Sequence, residues 1–154
     1  MTMHNVIRLW ASLILALVAA GASGASEPAE TKYRVESAVW CSGSLRGEPE
    51  LVLVPGTPGQ FEINGADSRW RLNVEVEPST EYEGAAPGAV WLKVGIEQYV
   101  DGQWQFITDT MLGTPLGQPG RITVVEQGQA ESDPDTAPLY VEMTATAVAP
   151  EEQG

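Results

Sequence analysis

The sequence predicts an all-β fold: an antiparallel β-sandwich or small barrel of about eight strands, preceded by a signal peptide. Three observations carry this. After the amino-terminal segment no stretch shows the 3.6-residue spacing of a helix, whereas apolar and polar side chains alternate with a period of two in several runs. Pro- and Gly-rich connections separate those runs, as in small sandwiches. Asp101-Gly102 lies between two alternating runs, the pattern of a two-residue type I′ hairpin turn.

Residues 1–25 read as an export signal. A short start carrying Arg8 precedes the apolar run Leu9–Ala20, and small residues follow. Ala20-Gly21-Ala22 and Ser23-Gly24-Ala25 both satisfy the small-x-small rule for cleavage. The run is shorter than the roughly 20 residues of a membrane span. Cys41 lies too far downstream for lipoprotein processing. The expected organisation is a cleaved signal at 1–25 of the bacterial type, a linker at 26–30, a β-sandwich domain at 31–149 and a disordered tail at 150–154. A periplasmic or secreted location follows, with no stable membrane insertion after cleavage.

The strands follow in order. Tyr33, Val35, Ser37 and Val39 alternate with Arg34, Glu36, Ala38 and Trp40. Leu51–Val54 is a short apolar run ended by Pro55-Gly56, and Phe61 and Ile63 flank Glu62. The clearest strand is 69–77: Trp70, Leu72, Val74 and Val76 face one way, Arg71, Asn73, Glu75 and Glu77 the other, as a half-buried strand requires. Pro78 closes it because proline cannot donate to the ladder. Further strands are expected at 89–100, 103–112, 121–126 and 138–148. The acid-rich stretch 126–137 and the stretch 78–88 read as long connections, the first of them flexible.

One pattern recurs. Gly56-Thr57-Pro58-Gly59-Gln60-Phe61-Glu62-Ile63 is echoed 61 residues later by Gly117-Gln118-Pro119-Gly120-Arg121-Ile122-Thr123-Val124. Each copy fixes φ at proline, turns at a permissive glycine and enters a strand. Pseudo-duplicated halves, each supplying one sheet or half of each, would produce this echo. So would the ordinary use of Pro-Gly turns in β proteins.

The segment Pro49–Phe61, with its order of strand, Gly-x-Pro-Gly, short strand and alternating strand, resembles small exported β-domains of the bacterial envelope. That resemblance implies a periplasmic location and a β-sandwich. It transfers no catalytic residue.

Composition narrows the function classes. The chain of 154 residues carries 8 Lys+Arg against 21 Asp+Glu, a net charge of −13. That balance argues against neutralising nucleic-acid phosphates and against docking on an anionic membrane. Loss of Arg8 with the signal would deepen the charge to −14, and loss of His4, the sole histidine, would leave no imidazole. Ser-His-Asp and Cys-His catalysis, and most catalytic zinc sites, need one. A single Cys41 closes no internal disulfide; it reads as a buried thiol, with an intermolecular bridge as the alternative. The Gly-x-Pro-Gly segments lack the Lys-Ser/Thr of a phosphate loop.

The candidate contact surface lies on the 89–112 hairpin. A two-residue turn at Asp101-Gly102 pairs Tyr99 with Trp104 and Glu97 with Phe106, then Gly95 with Thr108, Lys93 with Thr110 and Trp91 with Leu112. One face then carries Trp91, Tyr99, Trp104 and Phe106 with Lys93 and Glu97. The other carries Val90, Leu92, Val94, Ile96, Ile107 and Met111 as core. Asp109 falls on that core face, and a bulge near it would repair the misfit. The acid pairs Glu75/Glu77, Glu81/Glu83 and Asp133/Asp135 lie on exposed chain, and glycosidase chemistry needs two acids set across a cleft. Asp133–Thr136 and Asn64–Ser68 offer oxygen ligands for calcium without matching a known calcium loop. The reading is a non-catalytic exported sandwich that binds a protein partner or envelope component, without metal or cofactor. A carbohydrate-binding module and a small carboxylate hydrolase are the alternatives.

Overall fold

The computed structural model of the chain describes residues 30–78, 88–128 and 134–149. The expected signal peptide and tail lie outside these residues, as do 79–87 and 129–133 of the two long connections.

Nine strands form among the described residues: β1 (Tyr33–Cys41), β2 (Ser44–Gly47), β3 (Glu50–Leu53), β4 (Gly59–Asn64), β5 (Arg69–Pro78), β6 (Ala89–Val100), β7 (Gln103–Pro115), β8 (Pro119–Val124) and β9 (Leu139–Ala147). They build two antiparallel sheets, β2/β3-β1-β9-β8 and β4-β5-β6-β7, so the described residues form an all-β sandwich. Strands follow one another round the molecule in chain order, and β9 returns to pair with β1. The result is a flattened meander without ladder bonds at two seams, β3/β4 and β7/β8.

Alternation decides what is buried. Val35 and Val39 of β1, Leu72, Val74 and Val76 of β5, Val90, Leu92, Val94 and Ile96 of β6, and Val141, Met143 and Ala145 of β9 fill the space between the sheets. Fully burying each of the valine, leucine, isoleucine and methionine chains contributes about 1.5–3 kcal/mol. Trp70 closes one end of the core and donates its indole N–H to Ser68 Oγ at 2.9 Å. At that same turn the Gly65 N–H bonds Ser68 O at 2.7 Å, so Asn64–Ser68 is a hairpin connection. The acid-rich connection is pinned at its far end: Ser42 N–H donates to Ala137 O at 2.9 Å, and Ala137 is buried. The flexibility expected for 126–137 therefore does not extend to Ala137.

The echo of Gly-x-Pro-Gly is a repeat of structure. In each half a hairpin is followed by a crossing to the other sheet and a second hairpin: β1–β2/β3 then β4–β5, and β6–β7 then β8–β9. Gly56 and Gly117, at φ +79 and +80, turn the two crossings. The Gly56 N–H bonds Val76 O at 3.3 Å, and the Gly117 N–H bonds Ala145 O at 2.8 Å. Those acceptors match, since Gly59 pairs with Val74 and Gly120 with Met143, each two residues before the accepting carbonyl. Both first hairpins turn on two residues of positive φ, Ser42-Gly43 and Asp101-Gly102, the type I′ signature. Both also carry a bulge at the matching place, between Val39/Trp40 and between Ile96/Glu97. The halves differ where Pro49 interrupts the return arm of the first, dividing β2 from β3, while β7 runs unbroken. Each half thus contributes half of each sheet.

Candidate functional site

The hairpin β6–β7 keeps the expected register near its turn: Val100 faces Gln103, Tyr99 faces Trp104 and Glu97 faces Phe106. Beyond that the bulge intervenes, at Ile107 and nearer the turn than Asp109. Gly95 consequently faces Asp109, Lys93 faces Met111 and Trp91 faces Gly113, one residue off the pairs expected from sequence. Asp109 is thereby turned onto the outer face, which removes the misfit of a carboxylate in the core.

The same bulge corrects two core assignments. Ile107 is the extra residue and Met111 moves to the outer face; they are 39% and 44% exposed. Thr114 and Leu112 take the inward positions of the lower half, with Thr114 buried and donating to Gln118 O at 2.9 Å.

The outer face of β4–β7 is a grid set by the cross-strand pairs. Its rows read Arg69–Tyr99–Trp104, Arg71–Glu97–Phe106, Asn73–Gly95–Asp109, Glu75–Lys93–Met111 and Glu77–Trp91–Gly113. The first two rows form one cluster. Tyr99 and Trp104 meet edge-on, with ring centroids 5.2 Å apart and planes at 63°. The Arg71 guanidinium lies 3.9 Å from the Trp104 ring centroid, and Arg69 sits 5.3 Å from the same centroid and 5.6 Å from that of Tyr99. Both arginines are held by Glu62 of β4, at 2.7 Å for Arg69 Nη2 and 3.1 Å for Arg71 Nη2. Hydrogen bonds from Arg71 and then Arg69 hold the Glu62 carboxyl below the ordinary glutamate range. Glu97 accepts from Asn73 Nδ2 at 3.0 Å and lies 3.9 Å from Arg71 Nη1. Phe106 stands beside Glu97 and is 66% exposed.

Of the six residues expected together, Glu97, Tyr99, Trp104 and Phe106 are brought into this cluster. Trp91 is not. It lies eight positions from Tyr99 along β6, about 26 Å at roughly 3.3 Å per residue. Its ring rests on Gly113, where a Cβ would come 2.9 Å from Cζ3. Lys93 lies between the two aromatic ends and its ammonium pairs with the Glu77 carboxylate. The sequence reading missed Arg69, Arg71 and Glu62 as partners of the aromatics. Arg71 was placed correctly on the polar face of its strand, but only the pairing of β5 with β6 sets it beside the hairpin.

The other sheet's outer face carries a smaller aromatic pair, Trp40 and Tyr140, with centroids 5.4 Å apart. Burial and the neighbouring Glu142 raise the Tyr140 phenol above its ordinary range. Cys41 is buried, and desolvation raises its thiol, partly offset by the charge of Arg46. Of the calcium candidates, Asp133 lies outside the described residues. Among the described residues no three His, Cys, Asp or Glu side chains gather as metal ligands would.

No protein-family model matches the chain, and neither a curated protein nor a solved structure matches it.

Proposed function

We propose that this is an exported, non-catalytic envelope protein that docks a protein partner on the outer face of β4–β7, through Tyr99, Trp104 and Phe106 with Arg69 and Arg71. The observation that carries this reading is Phe106, 66% exposed beside a bed of stacked and ion-paired side chains. Exposed aromatic and arginine side chains already fixed in place lose little conformational freedom on contact, which is why such residues anchor interfaces.

Two features weigh against the alternatives. A sugar ring stacks on an open aromatic plane, whereas Tyr99 and Trp104 stand at 63° and Trp104 bears the Arg71 guanidinium. Carboxylate hydrolysis needs two acids converging across a cleft. Glu75 and Glu77 lie instead along one strand of an open sheet face, with Glu77 engaged by Lys93. Export rests on the apolar run Leu9–Ala20 and its two small-x-small sites.

The test is capture from an envelope extract by immobilised protein, native against Phe106→Ala and Trp104→Ala. A single stoichiometric partner retained by the native chain and lost by both variants, each still unfolding cooperatively well above the assay temperature, supports the reading. Equal capture by the variants overturns it. Mass measurement of the exported chain should find Ser23 or Ser26 at its start; a retained Met1 would remove the export part of the proposal.

A further inference from the structure

At the centre of the same face, strand β6 carries a glycine. An interior glycine weakens a strand and often marks a bulge, a bend or a close approach of another group; here the β6–β7 bulge follows at Ile96/Glu97. Gly95 has no conformational need to be glycine: its φ is not left-handed, and an added Cβ would meet Asn73 Cβ at 3.8 Å, an ordinary contact. Over the glycine lies an open hollow of about 470 Å3, lined among others by Asn73, Glu75, Lys93, Asp109 and Met111.

The charges of that hollow are unbalanced. Lys93 lies directly across from Glu75 in the ladder, yet its ammonium is held by Glu77 in the next row, away from Gly95. Among the described residues the carboxylates of Glu75 and Asp109 have no ion pair or hydrogen bond. They stand in adjacent rows on either flank of β6, Asp109 beside Gly95 and Glu75 beside Lys93, and both line the hollow. The Asn73 amide donates to Glu97, which leaves its carbonyl oxygen with acceptor capacity.

The repeat supplies an internal comparison. The register that matches Gly59 to Gly120 also matches Gly95 to Ala38 and Asp109 to Glu48. Around Ala38 lies a second hollow of about 380 Å3, walled by Glu36, Glu48, Glu50 and Glu142. A small residue beneath acids therefore recurs in both halves. The hollow at Ala38 adjoins the Trp40–Tyr140 pair, whose Tyr140 is buried, whereas the hollow at Gly95 adjoins the exposed Phe106 through the Glu97–Phe106 row.

We propose that the hollow over Gly95 receives a cationic side chain, a lysine ammonium or arginine guanidinium, from an extended segment of the partner whose apolar part contacts Phe106. This rests on the docking reading above and names the chemistry of the partner. The ammonium or guanidinium pairs with Glu75 and Asp109, and its aliphatic stem packs on Met111 and the glycine backbone.

The full chain is titrated with a synthetic peptide of alternating lysine and valine, and with the same peptide carrying glutamate for lysine. The lysine peptide binds and the glutamate peptide does not. Gly95→Leu, which fills the hollow without changing charge, weakens binding about tenfold, as does Glu75→Gln with Asp109→Asn. Ala38→Leu leaves it unchanged. Equal binding by native protein and Gly95→Leu would mean diffuse attraction to an acidic chain and overturns the proposal, as does absence of binding by the native protein. Both sets of variants then enter the envelope capture. If Phe106→Ala loses the partner while Gly95→Leu and the double variant keep it, the cation site fails and the docking reading stands. If Phe106→Ala keeps the partner, the docking reading itself fails.

Discussion

The Arg71 guanidinium lies 3.9 Å above the Trp104 ring and is at the same time held by Glu62 at 3.1 Å. Three strands, β4, β5 and β7, meet in that one contact, although Arg71 is polar and sits on an open face. Stacking of this kind contributes about 0.5–1 kcal/mol at exposed sites. Arg71→Ala should therefore destabilise the fold only slightly, about 1 kcal/mol or less, while shifting the Trp104 indole N–H resonance more than that of any other tryptophan. Arg71→Lys should not restore the resonance, because an ammonium lacks the planar group that covers the ring. Full restoration by lysine would show that charge alone sets the contact.

Glu62 gives an acid limb to stability. Its folded value is depressed, so the stabilisation is present above the ordinary glutamate value of about 4.3 and is lost as pH falls through the folded value. Melting temperatures measured downward from pH 5 should fall less steeply for Glu62→Gln than for the native chain. Parallel curves would show that Glu62 titrates alike in folded and unfolded protein.

Cys41 acts in the opposite window. Burial raises its folded value, so the folded chain holds the thiol proton more tightly than the unfolded chain. Stability is unaffected below the ordinary thiol value of about 8.5 and declines as pH rises from there through the folded value. Cys41→Ala should flatten that alkaline limb. The native thiol should also react slowly with a disulfide reagent until denaturant unfolds the chain; fast labelling of folded protein would contradict its burial.

The repeat predicts matched energetics. Gly56 and Gly117 hold φ +79 and +80, and no atom lies within 4 Å of an added Cβ at either. Substitution by alanine at each should cost about 1–2 kcal/mol, from backbone strain alone. Urea unfolding of the two single variants should give equal losses, and the double variant their sum. A loss at one corner only would mean that the crossings are not equivalent.

The corner glycines that follow differ from these. A Cβ at Gly120 would lie 2.5 Å from Leu112 Cδ2, and one at Gly59 would lie 2.5 Å from Leu53 Cδ2. Gly120→Ala should destabilise by about 1–3 kcal/mol through overpacking. Combined with Leu112→Ala the costs should fall short of additive, since the smaller chain vacates the space the new methyl needs. Strict additivity would place the strain elsewhere.

Much of the fold was legible because its signals are local. Strand β5 is written in its own alternation, and the turn at Asp101-Gly102 in two adjacent residues. The two Gly-x-Pro-Gly corners spell the same local geometry twice. Even the inward set Val90, Leu92, Val94 and Ile96 follows from period two alone. Strand β2 was missed because its four residues, Ser44–Gly47, are mostly exposed and carry no alternation. Ile107 and Met111 were misplaced because one extra residue inverts every side chain beyond it, and a bulge has no fixed sequence mark.

What the sequence determined by itself was the class of fold, the hairpin and its first pairs, and the twofold use of one corner. Each is a matter of neighbours along the chain. Only the tertiary structure decided which strands lie side by side, and the candidate surface depends on that. It brought Arg71 of β5 over Trp104 of β7, parted Trp91 from the other aromatics, and set Glu75 and Asp109 around one hollow over Gly95. Pairing between strands distant in sequence is decided by how whole faces pack together, and no single segment carries that information.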